Sequence, residues 1–407
     1  MQKIMSLFSA LVVCGVLAAS GAAEAAIDAQ GAATLKKQIE DSLQWRQNVS
    51  RFSGQKLEME GGVTVAPKGT FYEVKLPHLT LIPHADKKER LDVGTVTLNA
   101  MPGQPGEWLL TTLLPSAMTF YDAAGGAAGH INIGAQYFAG HWWPEKEIYT
   151  GIDAHYENIK VDATPAPGQT LTAVIPAVKI RFNLKDNADG TWNGSNFFET
   201  SDLKLTLPGK GQAEVTIAKI EAHSAYDHFD IRPTLALKKK VQAAFENGKT
   251  PTEAEMRALA SDVVSTGMGG IDSLQNTVKV SGTAIHMTPA PINGPMDIAF
   301  DMFSLSGHAS GLQQDKATGS LIMGGSGMKL SFLPPDIAAL IPNAFNIDVS
   351  AENLPAKGLK DMFAGVMEKS VALSQAPKSS KAAQEAAVKD VNANVATLPK
   401  LLQDAAT

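Results

Sequence analysis

Apolar and polar residues alternate along most of this chain, which marks strands with one dry and one wet face. Val178, Ile180, Phe182 and Leu184 are separated by Lys179, Arg181 and Asn183, and Leu203, Leu205 and Leu207 by Lys204 and Thr206. The pattern runs from about residue 54 to 230 and predicts antiparallel strands covered on a single face. Asn187-Ala188-Asp189-Gly190 is a turn signal between two of them. Period two resumes at Asn276 and continues to about Val349, through Val278 and Val280, then Met328, Leu330 and Phe332, then Phe345, Ile347 and Val349.

A loose repeat of an apolar residue, a proline and a strand occurs at Leu76-Pro77, Leu114-Pro115 and Ile175-Pro176. At the first and third, the apolar parity switches. Val74 and Leu76 precede Leu79 and Leu81, and Ala173 and Ile175 precede Val178 and Ile180. Proline cannot donate to a ladder, so it belongs at an edge or at a bulge that reverses the facing. The expectation is bent strands in curved sheets.

Helical spacing breaks in at five places. Leu35, Ile39 and Leu43 recur every fourth residue in an early helix. Pro233 opens a second, with Leu237, Val241 and Phe245 on one stripe. A third is expected to start at Thr250 as N-cap, with Pro251 at the first position and Glu253 closing a capping box, burying Met256, Leu259 and Val263. Leu354-Pro355 leads into a helix with Leu359, Met362, Phe363 and Val366, and Val388, Val391, Val395, Leu398 and Leu402 follow a 3-4-3-4 spacing in the tail. That last seam is expected to dock on the chain's own sheet.

The fold class is therefore α+β and β-dominated: long curved antiparallel sheets, a helical pair between two β-regions, and a helical C-terminus. The expected divisions are 1–25, 26–231 (helix and β-rich region), 232–275 (helical pair), 276–356 (second β-rich region) and 357–407 (C-terminal helices).

Residues 1–25 have the form of a cleaved signal peptide. Lys3 supplies the positive end, Ile4 to Ala19 an apolar core too short to span a bilayer, and Ala23-Glu24-Ala25 a cleavage site. The mature chain is expected in the periplasm without a transmembrane anchor. Cys14, the only cysteine, falls within that peptide, so the mature chain has no disulfide and no thiolate chemistry. A net charge of −6 argues against nucleic acid and anionic membrane as partners.

Candidate chemistry is sparse. Gly324-Gly325-Ser326-Gly327-Met328 lacks the fifth-position glycine of a nucleophile elbow and is expected to be a hairpin turn, as is Gly307-His308-Ala309-Ser310-Gly311. No phosphate loop or dinucleotide fingerprint is present. No metal site and no cofactor are expected: His223 and His228, beside Asp227 and Asp230, fall on opposite strand faces, and His155 beside Glu157 is a pair only. The most unusual segment is aromatic. Tyr137, Phe138, His141, Trp142 and Trp143 lie together in a chain only 6% aromatic, and are the candidate ligand-binding residues. The alternative for them is an aromatic minicore at the end of a sheet.

Leu333-Pro334-Pro335-Asp336, Phe345-Asn346-Ile347-Asp348-Val349 and Asn353-Leu354-Pro355, after many strands and a helical pair, carry a resemblance. Residues 276–370 resemble the periplasmic β-rich proteins of proteobacteria called YdgA-like and AsmA-like. The resemblance implies envelope maintenance and an apolar groove that shelters lipid; it transfers no catalytic residue. AsmA-like proteins carry a membrane anchor, which this chain is expected to lack. Three functional expectations follow: a non-enzymatic periplasmic protein with a groove for an acyl chain or lipid, a structural or partner-binding envelope module, and a hydrolase around His141, His155 and Glu157.

Overall fold

The computed structural model describes residues 27–52, 55–83, 88–146, 148–166, 168–208, 212–245, 251–252, 255, 258–259, 262, 266, 270–288, 296–358 and 361. The proposed signal peptide, Thr250, Met256, Val263, Leu359, Met362 and the tail seam at 388–402 lie outside these residues.

Helix α1 (Ala29–Phe52) begins where Asp28 Oδ1 accepts the Gly31 amide at 2.7 Å, an N-cap. The Asp28 amide donates to the Tyr72 hydroxyl at 3.1 Å, which ties the helix start to the sheet. Its stripe of Ala32, Leu35, Ile39 and Leu43 is buried, as the four-residue spacing requires.

Among the described residues, every strand belongs to one 17-stranded antiparallel sheet. The first six are β1 (Lys56–Glu60), β2 (Thr64–Lys68), β3 (Phe71–Ile82), β4 (Arg90–Pro102), β5 (Trp108–Leu113) and β6 (Ala117–Tyr121). Next come β7 (Ala127–Asn132), β8 (Ala135–Trp143), β9 (Ile148–Ala166), β10 (Gln169–Asp186), β11 (Thr191–Leu207) and β12 (Gln212–Asp230). Helix α2 (Arg232–Ala244) precedes β13 (Ser273–Thr288), β14 (Met296–Ser310), β15 (Lys316–Ser326) and β16 (Lys329–Leu330). A short α3 (Pro335–Ala338) and β17 (Ala344–Pro355) follow. From β9 onward the sheet is an up-and-down meander of long neighbours. β12 pairs with β13 from Gln212 to Asp227, so the two β-regions are one continuous sheet.

A transverse crease crosses this sheet. Strand β3 slips register between Lys75 and His78, at Leu76-Pro77. β5 and β6 run on in one direction along β4, broken at Pro115. β7 and β8 run on along β9, broken at Gly134, whose amide bonds the Glu157 carbonyl at 3.0 Å. Beyond them the registers align Asn158 of β9, Pro176 of β10, Asp202 of β11, Ala218 of β12, Gly282 of β13, Asp301 of β14 and Gly327. Every second member is left-handed: Asn158, Asp202, Gly282 and Gly327 have φ of 53°, 51°, 59° and 66°. One off-pattern residue per strand flips its parity, and because all flip at one level the apolar residues stay on one side of the sheet. The parity switches expected at Pro77 and Pro176 are two points on this line: Val74, Leu76, Leu79 and Leu81 are all buried, as are Ala173, Ile175 and Val178.

That side holds the core. Helix α1 and the apolar face of β3 to β10 form one cluster that includes Tyr72, Trp108, Ile131, Trp142 and Ile159. Helix α2, with proline in its first turn, packs Leu237, Val241 and Phe245 with Leu259 and with Trp45 of α1.

Three local expectations shift. The capping box sits two residues later: Thr252 is the cap, with Glu255 Oε2 accepting its amide at 2.7 Å and the Glu255 amide donating to Thr252 Oγ1 at 3.3 Å. Both threonines fit the T-x-x-E spacing, and sequence alone does not separate them. Gly307 to Ser310 are strand, with the turn at Gly311 (φ 71°). Gly324 and Gly325 are likewise strand, with the turn at Gly327; a Cβ on Gly325 would stand 2.5 Å from the Phe345 ring, so glycine there makes room for an aromatic neighbour.

Candidate functional site: the open half of the apolar face

The register lets the apolar face be followed strand by strand. On one side of the crease, Val178 of β10 aligns with Thr200, Ile220, Val280, Phe303, Gly325 and Phe345 on β11, β12, β13, β14, β15 and β17. The next row is Phe198, Ala222, Val278, Leu305, Met323 and Ile347. On the other side, Leu203 aligns with Ile217, Thr283 and Phe300, and Leu205 with Val215, Ile285, Ile298 and Leu330. No Asp, Glu, Lys, Arg or His occupies these rows.

The same face is covered at one end and open at the other. Ile175, Val178 and Ile159 are at most 4% exposed, whereas Leu305 is 39%, Ile347 49%, Leu321 51% and Val349 58% exposed. Among the described residues, no helix or second sheet lies over β13 to β17. Covering one such half-exposed aliphatic side chain is worth about 1 kcal/mol, so a ligand spread over several of them gains substantial free energy.

The opposite face is polar. Glu199 Oε1 accepts from Lys179 Nζ at 2.9 Å, and its other oxygen lies 3.0 Å from Lys219 Nζ. These two ammonium groups, Lys179 first, hold the Glu199 carboxyl below its ordinary 4.5. The sheet is amphipathic across its width.

The aromatic segment is divided by the pleat of β8. Phe138 and Trp142 point into the core at 4% and 0% exposure, while Tyr137 is 53% exposed and His141 projects from the polar face. Trp143 packs edge-on against Trp192, centroids 6.0 Å apart, with Lys146 Nζ 3.7 Å above its ring. The five are divided between the core and the surface. Phe138 and Trp142 take the minicore alternative.

One polar arrangement was hidden from the sequence. Glu107, only 10% exposed at its side chain, places Oε1 3.1 Å from His141 Nδ1, accepts the Thr150 hydroxyl at 3.4 Å on that same oxygen, and takes the Gln104 amide on Oε2 at 3.1 Å. Thr150 bonds the carboxylate and the His141 carbonyl, and not the imidazole ring. His155 Nε2 lies 3.5 Å from Glu157 Oε1 on the polar face. It pairs with Tyr137, whereas His141 pairs with Gly151, so the two histidines stand four residues apart along β9, about 13 Å. His228 meets Asp227 at 3.3 Å, and His223 is not part of that contact. Among the described residues, no group of three His, Cys, Asp or Glu side chains is arranged to hold a metal ion, and no helix is long and apolar enough to cross a membrane. No protein-family model, no curated protein and no solved structure matches this chain.

Proposed function

We propose that this chain is a non-enzymatic protein of the periplasmic envelope that shelters an acyl chain or lipid against the open half of its sheet. The observation that carries the reading is the uncharged apolar face that continues, uncovered among the described residues, from the packed core to β17. Such a face must be covered by a helix, another sheet or a ligand. With no charged group along its rows, it offers dispersion and desolvation to a hydrocarbon and nothing to fix a headgroup, so the headgroup stays in water. The chemistry at Glu107 and His141 is on the other face and has no part in it.

Native mass spectrometry of the mature protein purified from the periplasm, followed by organic extraction, tests this. A stoichiometric lipid is expected, and it should be lost when Leu321→Glu and Val349→Glu put charges on the face. A protein that carries no lipid and binds no hydrophobic dye overturns the reading.

The edge of β17 favours a second reading as a partner-binding module. Among the described residues β17 pairs only with β15, which leaves its other row of backbone groups open to an added strand. Crosslinking in the intact envelope that traps no partner through residues 344–355 counts against it.

A further inference from the structure

The dry face differs between its two ends. One step further from the crease than Phe198, Ala222 and Val278, the row on that face is Asn196 on β11, Ser224 on β12 and Asn276 on β13, in register. Tyr226 follows one step beyond Ser224, aligned with Gly194 and Leu274. These are four adjacent hydrogen-bonding side chains, all uncharged, on the side of the sheet that is otherwise apolar. Asn196, Ser224 and Tyr226 are half-buried and Asn276 is exposed. Among the described residues, none of the four side chains is engaged in a hydrogen bond. The next strand places Gly307 in the row, so no side chain stands between Asn276 and Leu321.

At the other end the face stays apolar. Beyond the Leu205 row its last aligned residues are Leu207, Ala213, Met287 and Met296, which bring no N–H or O–H side chain. The face thus grades from neutral polar, at the end where β12 gives way to α2, to fully apolar. An amphiphile has the same gradient. Between Val278 and Met287 β13 offers about 30 Å of dry surface. The hydrocarbon of one bilayer leaflet is about 15 Å deep, half of the apolar core, so an acyl chain that starts at the asparagine row has room to lie at full length.

The chemistry of the row selects the polar end of that amphiphile. No Asp, Glu, Lys, Arg or His aligns with Asn196 or with Tyr226 on β11 to β17. A fatty-acid carboxylate set there would lose water and gain no cation, which is strongly disfavoured. An ester carbonyl and a glycerol hydroxyl ask for neutral donors and acceptors, which asparagine, serine and tyrosine supply.

We propose that Asn196, Ser224, Tyr226 and Asn276 form a polar subsite for the ester linkage of a glycerolipid, whose acyl chain crosses the crease toward Met287 and Met296 and whose headgroup lies past Tyr226 in water. The inference rests on the lipid reading and adds to it the class and the direction of the ligand. In the test, the full mature chain is stripped of lipid and titrated with monoolein and with oleate, each displacing a hydrophobic dye, at a pH where oleate is ionised. Monoolein is expected to bind about tenfold more tightly than oleate. Asn196→Leu with Asn276→Leu should erase that preference by weakening monoolein about tenfold, with dye affinity held within about twofold. A second measurement uses the unaltered sequence: monoolein carrying a diazirine at the end of its acyl chain is bound and irradiated. Crosslinks are expected at the crease and beyond it, in residues 280–287 and 296–303. Oleate binding as tight as monoolein, unchanged monoolein affinity in the double variant, or chain-end crosslinks confined to residues 224–226 and 274–276 overturn the subsite and leave a lipid on the face. A chain that binds neither ligand overturns the subsite as well, and the extraction experiment decides the lipid reading separately.

Discussion

Trp142 and Tyr137 are five positions apart on one strand and answer to opposite rules. Trp142 is fully buried, stands in register with Trp108, and Trp108 meets Tyr72 edge-on at 5.8 Å. Trp142→Ala is expected to cost about 3–5 kcal/mol in urea unfolding, and Tyr137→Ala to stay within about 0.5 kcal/mol. Comparable losses at both would mean that the aromatic segment acts as one unit. Glu199 supplies a pH-dependent test. Its folded pKa is lowered, so its contribution is present above the unfolded value and fades as pH falls through the folded one. Glu199→Gln is expected to lower stability by up to about 1 kcal/mol at pH 7, with the gap closing as the pH drops below 4.5. A gap that persists in acid would assign the effect to packing. The partnership of Glu107 with His141 was out of reach of sequence reasoning, because it joins residues 34 positions apart, one just before β5 and one on β8.

At the scale of elements, the strands were legible where alternation was strict and the helices where stripes were complete. Pro77 and Pro176 announced parity switches because proline is visible in any context. The switches at Asn158, Asp202 and Gly282 were not, since left-handed backbone in mid-strand is dictated by neighbours that only the register reveals. Gly282 is the sharpest case. Its φ is +59°, and a Cβ there would lie 2.7 Å from that of Ala218. Gly282→Ala is expected to destabilise by about 1–3 kcal/mol by thermal unfolding, and Ala218→Gly made together with it should recover part of the loss. Thr252→Ala removes the observed cap and should cost about 1 kcal/mol, whereas Thr250→Ala should cost little. The reverse order would restore the cap read from the sequence.

For the whole molecule, one sheet serves two regimes. Its first half is packed around α1 and its second half presents the same dry face to whatever comes to it. A β-dominated fold was legible from composition and period alone. The continuity of the two β-regions was not, because the helical pair interrupts the sequence while β12 and β13 remain neighbours in space. Amide hydrogen exchange of the lipid-free protein should reflect the division, with strong protection in β3 to β10 and weaker protection in β15 and β17. Uniform protection would show that the two halves open as a single cooperative unit.

The crease also sets what kinds of length change the chain can survive. The facing of a strand depends on whether its residue count is odd or even. With the crease held by Pro176 and Ala218 on either side, deleting Asp202 alone would keep Thr200 and Phe198 where they are, move Leu203 into its place and turn Leu205 and Leu207 into the water, as a shifted reading frame scrambles everything downstream of it. Adding two residues in a hairpin tip such as Asn187 to Gly190 leaves every facing intact. Inheritable variation in this chain is therefore expected to gather at the hairpin tips and in whole up-and-down strand pairs that bring their own off-pattern residue, and to spare the single positions along the crease.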